Sequence, residues 1–236
     1  PLRIVDASLA REAELEDREE AGRALAASLG MWRARPDALV LGLPRGGVPV
    51  AFEVADALGL PLDVLVVRKL GLPWQSELAM GAIAGGGALV VNEEVLRHVP
   101  RDSDAFETVR AREQRELERR EREYRGDRPP LDPRGRCVIL VDDGLATGAT
   151  MEAAVRSLQS LGARRVVVAV PVAAAEARER IAAVADEVVC LETPEFFSAV
   201  GQWYRDFGQT SDTEVTDLLE RARRRSTPAS DRGDER

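Results

Sequence analysis

Apolar residues gather along this chain in short unbroken runs, and between the runs they recur at helical spacing. Runs at 38–43, 62–67, 138–141, 165–170 and 187–191 are four to six residues long and rich in Val, Leu and Ile. Continuous apolar character of that length is what strands buried on both faces require. The first run breaks at Pro44-Arg45-Gly46-Gly47 and a helical pattern follows over 50–58. A helix ending near Gly162 leads to the fourth run, and another over 173–184 leads to the fifth. Ahead of them all, residues 12–29 carry Leu15, Ala21, Leu25, Ala26 and Leu29 at helical spacing, with Gly30 placed as a C-cap. Strands alternating with helices predict an α/β fold, an open and mainly parallel sheet covered by helices on both faces.

About 70 residues separate the second and third runs, far more than one crossover needs. Within them, residues 79–84 and 88–92 flank Gly85-Gly86-Gly87 and read as a strand pair, or as a strand with a short edge. Residues 104–124 read as one long helix with Glu116/Arg120, Glu118/Arg122 and Glu121/Arg125 four apart. Its few apolar positions (Phe106, Val109, Leu117, Tyr124) make no wide core face, which leaves a solvated helix, a lid or a dimer arm. The expected organisation is an N-terminal helical segment (1–36) and a main domain (37–225) holding an insertion at about 92–133 and a C-terminal hood at about 192–216. Within the insertion, 125–133 read as a linker, and a disordered tail (226–236) completes the chain.

At 236 residues and 44% hydrophobic, the chain can bury a substantial core. Its 33 basic and 41 acidic residues give a net charge of −8, which argues against a general nucleic-acid surface and leaves room for a local basic pocket. No apolar run approaches the ~20 residues of a membrane span, and the polar start shows no signal-peptide pattern, so neither membrane nor nucleic acid is an expected partner and a cytoplasmic location is expected. Cys137 and Cys190 fall beside or in strands and read as reduced core thiols. The sole histidine, His98, reads as a surface or capping residue.

The chemistry concentrates at Val138, Ile139, Leu140, Val141, Asp142, Asp143, Gly144, Leu145, Ala146, Thr147, Gly148, Ala149 and Thr150. A buried strand runs into two carboxylates and then a small-residue loop that opens a helix. Such a loop lets backbone N–H groups close on a phosphate, Thr147 and Thr150 add hydroxyl donors, and the helix dipole favours the anion. The carboxylates beside it suit a ligand that offers hydroxyl donors, or a cation held between them. A second loop, Pro44-Arg45-Gly46-Gly47, also leaves a strand's carboxyl end; its glycines permit close backbone approach and Arg45 offers a fork of donors, though a plain strand-to-helix turn has the same composition. Arg68 and Lys69, the chain's only lysine, follow the second run and can neutralise a polyphosphate.

The thirteen residues from Val138 to Thr150 resemble the phosphoribosyl pyrophosphate (PRPP) signature of type I phosphoribosyltransferases. The resemblance implies that Asp142 and Asp143 take the ribose hydroxyls and, through water, a Mg2+ ion, while Ala146, Thr147, Gly148, Ala149 and Thr150 take the 5-phosphate. It implies that Arg45, Gly46 and Gly47 bind pyrophosphate, that Arg68 and Lys69 assist its departure, and that residues 70–80, with Gly71 and Pro73 and with Gly81 just beyond, form a flexible closing loop. Glu77 in that loop is a further candidate. Where hypoxanthine-guanine enzymes carry a purine-reading aspartate this chain has Ala146, closer to adenine and uracil enzymes. In the hood, Phe196, Phe197, Trp203, Tyr204 and Phe207 are placed to stack on a planar acceptor, with Asp206 reading an N–H, or else to pack the terminal segment onto the sheet. The N-terminal helix and the long charged helix together resemble a group of bacterial phosphoribosyltransferase-like proteins. The expectation is a Mg2+-dependent transferase of nucleotide metabolism, a homodimer joining PRPP to a small-molecule nitrogen acceptor. The alternative is a regulator that senses PRPP or a nucleotide without turnover. A receiver-like or phosphatase-like use of Asp142 and Asp143 meets Gly144 where the second acid should stand.

Overall fold

Each apolar run that the sequence reads as a strand finds a place in a sheet, although one run is divided between two sheets. The computed structural model describes residues 5–6, 15–99 and 104–226. In chain order its elements are β1 (Val5–Asp6), α1 (Arg18–Ser28), β2 (Ala38–Gly42), α2 (Gly47–Leu58), β3 (Leu62–Val64), β4 (Val67–Leu72), β5 (Gln75–Ala84), β6 (Ala88–Val91), α3 (Glu93–Leu96), α4 (Ala105–Arg125), β7 (Cys137–Val141), α5 (Ala149–Ser160), β8 (Arg165–Val172), α6 (Ala175–Ala182), β9 (Glu187–Glu192) and α7 (Asp212–Ser226).

The main sheet has the order β1-β9-β8-β7-β2-β3 and every pairing in it is parallel. Alternate residues of its strands serve two cores. Val40, Ile139, Val141, Val167 and Val189 face α1 with the turn that follows it, α2 and α7, where Leu25, Leu29, Trp32, Phe52 and Leu219 lie. Leu39, Leu41, Val138, Leu140 and Val168 face α5 and α6, where Met151, Leu158 and Ile181 lie. Burial on both faces is why the runs are continuous rather than alternating. From β2 the chain steps outward to β3, and from β7 it steps the other way to β8 and β9. The order therefore reverses between β2 and β7, and a crevice opens beyond their carboxyl ends.

Several expectations are corrected. The run at 62–67 is not one strand: β3 ends at Val64, the Leu65 N–H still reaches Gly42, and the Val66 carbonyl already accepts from Gly85 in the second, antiparallel sheet β4-β5-β6. The predicted loop at 70–80 is instead the far end of the β4–β5 hairpin, which extends the expected 79–84 strand back to Gln75. The N-terminal helix begins at Arg18, where the Asp17 side chain caps the Glu20 N–H; residues 12–14 lie outside the described residues. The N-terminal segment also supplies β1, an edge strand the sequence did not announce. The long helix α4 is more than a solvated rod. It buries Val109, Leu117 and Tyr124, and its buried charges bind across elements: Glu113 to Arg68 and Arg125 to Asp63. Of the three predicted intrahelical pairs only Glu116/Arg120 forms as an ion pair, since Arg125 turns to Asp63 and the Arg122 Nε donates to the Glu118 carbonyl. Helix α7 was also unforeseen, and its first turn overlaps the expected hood. Most of the expected tail, 227–236, lies outside the described residues. Cys137 and Cys190 are buried free thiols, and His98 is exposed in the turn after α3. No described helix is long and apolar enough to cross a membrane.

Candidate functional site

The two loops flanking the topological switch are joined directly. The Leu43 N–H donates to the Val141 carbonyl at 2.9 Å, which fixes the start of the first loop against the end of β7. The peptide between Pro44 and Arg45 is cis. Gly46 and Gly47 then pass so close to the acidic pair that neither has room for a side chain. A Cβ on Gly46 would lie within 3 Å of the Asp143 carboxylate, and one on Gly47 would lie 2.7 Å from the Val141 carbonyl oxygen and 2.9 Å from the Asp142 Cα. Here glycine is demanded by the approach of two loops rather than by a turn.

Beyond Asp143 the chain drops into the second core: the Leu145 N–H donates to the Val172 carbonyl, and Leu145 is buried. Ala146 and Thr147 are exposed, Gly148 takes a φ of 74°, and α5 starts at Ala149 with no side-chain cap. Apart from the Ala149 N–H, which donates to the Thr147 Oγ1 at 3.4 Å, the first turn of α5 leaves backbone N–H groups and the Thr150 hydroxyl for an anion.

Asp142 and Asp143 are half-buried, and the Asp142 Oδ1 accepts the Asp143 N–H at 2.9 Å. Burial, then the neighbouring Asp143 carboxylate, push Asp142 well above the usual carboxylate range. Burial also raises Asp143, against the opposing pull of Arg18. For Asp142 the folded value lies above the unfolded one. Its contribution to stability is therefore complete below about pH 4 and is lost as pH rises through the folded value. Asp142→Asn is expected to raise the Tm of the ligand-free protein at pH 7 to 8, by about 2–4 °C for each kcal/mol recovered. The gap should close toward pH 4; identical melting of the two proteins at neutral pH would contradict this account.

Two other expected residues separate. Arg68 and Lys69 are neighbours on β4, and successive side chains on a strand point to opposite faces. Arg68 turns to α4, where its Nη2 lies 2.5 Å from the Glu113 Oε2. Lys69 lines a cavity of about 490 Å³ beside Ala149, Glu152 and Arg156 of α5. The two cations do not converge on one ligand position in this structure. Arg45, by contrast, stays at the crevice with its Nη1 3.7 Å from the Asp212 Oδ2 at the start of α7. Asp212 also accepts the Tyr124 hydroxyl of α4. The Glu77 side chain lies outside the described residues.

Residues of the segment expected as a hood pack against Asp143 and Gly144, with its aromatics sorted into different roles. Tyr204 is buried and its hydroxyl donates to the Asp143 carbonyl at 2.6 Å; burial, then the Asp143 charge, hold that hydroxyl protonated. Tyr204 is thus a strut under the signature rather than a free stacking face. Phe197, Val200 and Trp203 are half-buried around it, and Val200 covers Gly144 so closely that a Cβ there would sit 2.6 Å from its Cγ1. The Trp203 indole N–H is buried with no acceptor among the described residues. Phe196 is 82% exposed. Asp206 is exposed and its carboxylate accepts the Gly208 N–H, the role of a turn former. The residue that sequence reasoning missed is Arg18 of α1, whose guanidinium binds the Asp143 carboxylate at 2.9 Å. Among the described residues no cluster of three or more metal-ligating side chains occurs. Two adjacent carboxylates without a third suit a hard cation that takes its other oxygens from water and a polyphosphate.

A family model described as a phosphoribosyl transferase domain matches residues 13–207. Two Mycobacterium tuberculosis sequences, from strain CDC 1551 / Oshkosh and strain ATCC 25618 / H37Rv, each named "Putative phosphoribosyl transferase", are 51% identical over 209 residues. The match takes in 89% of this chain and 47% of theirs, so the chain spans about half the length of the curated relatives it matches. The solved structure of TT1426 from Thermus thermophilus is similar at 48% identity and a TM-score of 0.79, over 87% of this chain and 97% of that one.

Proposed function

The chain belongs to the phosphoribosyl transferase family, and on that premise we propose that it transfers the 5-phosphoribosyl group of PRPP to a ring nitrogen of a nucleobase-like acceptor, releasing pyrophosphate. The observation that carries this reading is the junction of the two loops. The Asp143 carboxylate packs against Gly46 while the uncapped start of α5 lies a few residues further on. That junction provides acceptors for ribose hydroxyls between a 5-phosphate cradle and a pyrophosphate loop.

In the reaction so proposed, the bond from ribose carbon 1 to pyrophosphate breaks with its electron pair leaving on pyrophosphate, the acceptor nitrogen supplies the pair for the new bond, and the proton that nitrogen carried passes to water or to the departing pyrophosphate. Arg45 lies where it can exchange Asp212 for the leaving group, and Lys69 approaches from the α5 side. Asp142 and Asp143 hold the 2- and 3-hydroxyls and face the ring as positive charge builds on it. Mg2+ bound to the pyrophosphate, with the two aspartates as partners through water, would neutralise charge on the leaving group. Ala146 carries no group that can take a proton, so no base is assigned at that position. On the acceptor side, Phe196 and Phe197 are the hood groups that remain to meet a planar heterocycle. The engagement of Arg68 by Glu113 favours a second reading, a regulator that binds PRPP without turnover.

Calorimetric titration with PRPP and Mg2+, followed by a pyrophosphate-release assay across a panel of bases, separates these readings. Binding with base-stimulated release is the expected result. Tight binding without release for any base would establish the regulator, and absence of binding would overturn both.

A further inference from the structure

Arg18 is the first residue of α1 and lies 125 positions ahead of Asp143, yet its guanidinium is fixed at the centre of the donor site. Its Nε and Nη2 both point to the Asp143 Oδ2, each at 2.9 Å. Its Nη1 donates to the Gly208 carbonyl at 2.7 Å, and its Cζ stands 4.0 Å from the centre of the Phe207 ring. That ring in turn packs at 5.0 Å on Tyr204, whose hydroxyl holds the Asp143 carbonyl. Asp143 is thus gripped twice, at its carboxylate from α1 and at its backbone from the hood, and Phe207 touches both grips.

We propose that Arg18 is a positioning residue for the phosphoribosyl donor, orienting the Asp143 carboxylate so that its Oδ1 is presented to a ribose hydroxyl; the inference rests on the PRPP reading above. The geometry distinguishes this role from that of a plug. Both donors converge on one oxygen, Oδ2, which leaves Oδ1 outside the Arg18 contact. A guanidinium meant to be displaced by substrate would owe its place to the aspartate alone. Here the Gly208 carbonyl and the Phe207 ring hold it independently, and the side chain is only 12% exposed. Arginine suits the task because its rigid fork can serve two acceptors while its face stacks on an aromatic ring. Lysine, a point charge on a flexible stem, can keep the contact with the carboxylate while losing the fork and the stacking.

The test is a set of titrations on the full chain with wild type, Arg18→Ala, Arg18→Lys, Asp143→Asn and the Arg18→Ala/Asp143→Asn double variant. The ligands are PRPP with Mg2+, ribose 5-phosphate and inorganic phosphate. Arg18→Ala is expected to weaken PRPP and ribose 5-phosphate by about 10- to 100-fold, the range of one lost charge-assisted hydrogen bond. Inorganic phosphate, which offers no ribose hydroxyl to Asp143, should bind unchanged, and Arg18→Lys should recover part of the loss. In the double variant the Arg18 effect should vanish, since the two side chains act through one contact. Tighter PRPP binding by Arg18→Ala would show a plug and overturn the inference. So would equal loss of PRPP and inorganic phosphate, which would mean a general loosening of the fold. Failure of wild type to bind PRPP would instead overturn the functional reading on which the inference stands.

Discussion

Asp143→Asn is expected to lower kcat/KM for PRPP by about 100-fold or more, the usual cost of removing one group that stabilises charge developing in a transition state. The neutral amide has the same shape, so the packing against Gly46 and the Tyr204 hydrogen bond to the backbone carbonyl survive. What is lost is the negative charge facing the ribose ring, together with an acceptor that can take a hydroxyl and a guanidinium at once. Arg18 is left half-compensated in a poorly hydrated position. The loss should appear in kcat as well as in KM, because the carboxylate matters more as the ring turns cationic than in the bound ground state. Inorganic phosphate should bind the variant as it binds wild type. Steady-state kinetics with the best acceptor from the panel provide the measurement. Turnover within a few-fold of wild type would remove Asp143 from the mechanism.

The signature is legible in the sequence because everything it needs is local. Val138 to Val141 are apolar because the strand is central, the acids stand at its end, and Gly144 and the small residues of 146–149 follow at once. The first loop is legible for the same reason, and the reversal of strand order between β2 and β7 explains why the two meet. The neighbourhood of Arg68 and Lys69 misled because one apolar run, 62–67, serves two sheets. Nothing local marks Leu65 and Val66 as the crossing, and once both cations lie on a strand, alternation parts them. Arg18 is invisible for a different reason. Asp17-Arg18-Glu19-Glu20 reads as the solvated first turn of a helix, and its partner lies 125 positions away. Tyr204 shows the limit of residue type as a guide, since the same ring could stack on a base or brace a backbone, and only its burial tells which. For α7 the sequence does carry a signal, since Val215, Leu218, Leu219 and Ala222 have helical spacing directly after the aromatic segment.

Gly47→Ala should be among the most damaging small substitutions in the chain. A methyl there meets the Val141 carbonyl oxygen at 2.7 Å, the Asp142 Cα at 2.9 Å and the Asp142 Oδ1 at 3.0 Å. The first two are backbone atoms at the end of the central strand, so no rotamer change relieves the contact. The first loop has to move away from β7, against the Leu43 N–H bond to Val141 and the packing of the first turn of α2. Overpacking of this kind costs about 1–3 kcal/mol, a fall in Tm of several degrees at roughly 2–4 °C per kcal/mol for a chain of this length. The functional effect should be larger than the structural one, because the displaced segment carries Arg45 and Gly46 on one side of the proposed PRPP site while Asp142 and Asp143 remain on the other. PRPP affinity is expected to fall by more than about 10-fold, since one side of a bipartite site no longer faces its partner. Gly30→Ala provides the control: a Cβ at that position meets nothing within 4 Å, and the variant should match wild type in both measurements. If thermal melts and PRPP titrations of Gly47→Ala and Gly30→Ala coincide, the two loops are not the rigid pair that the donor site requires.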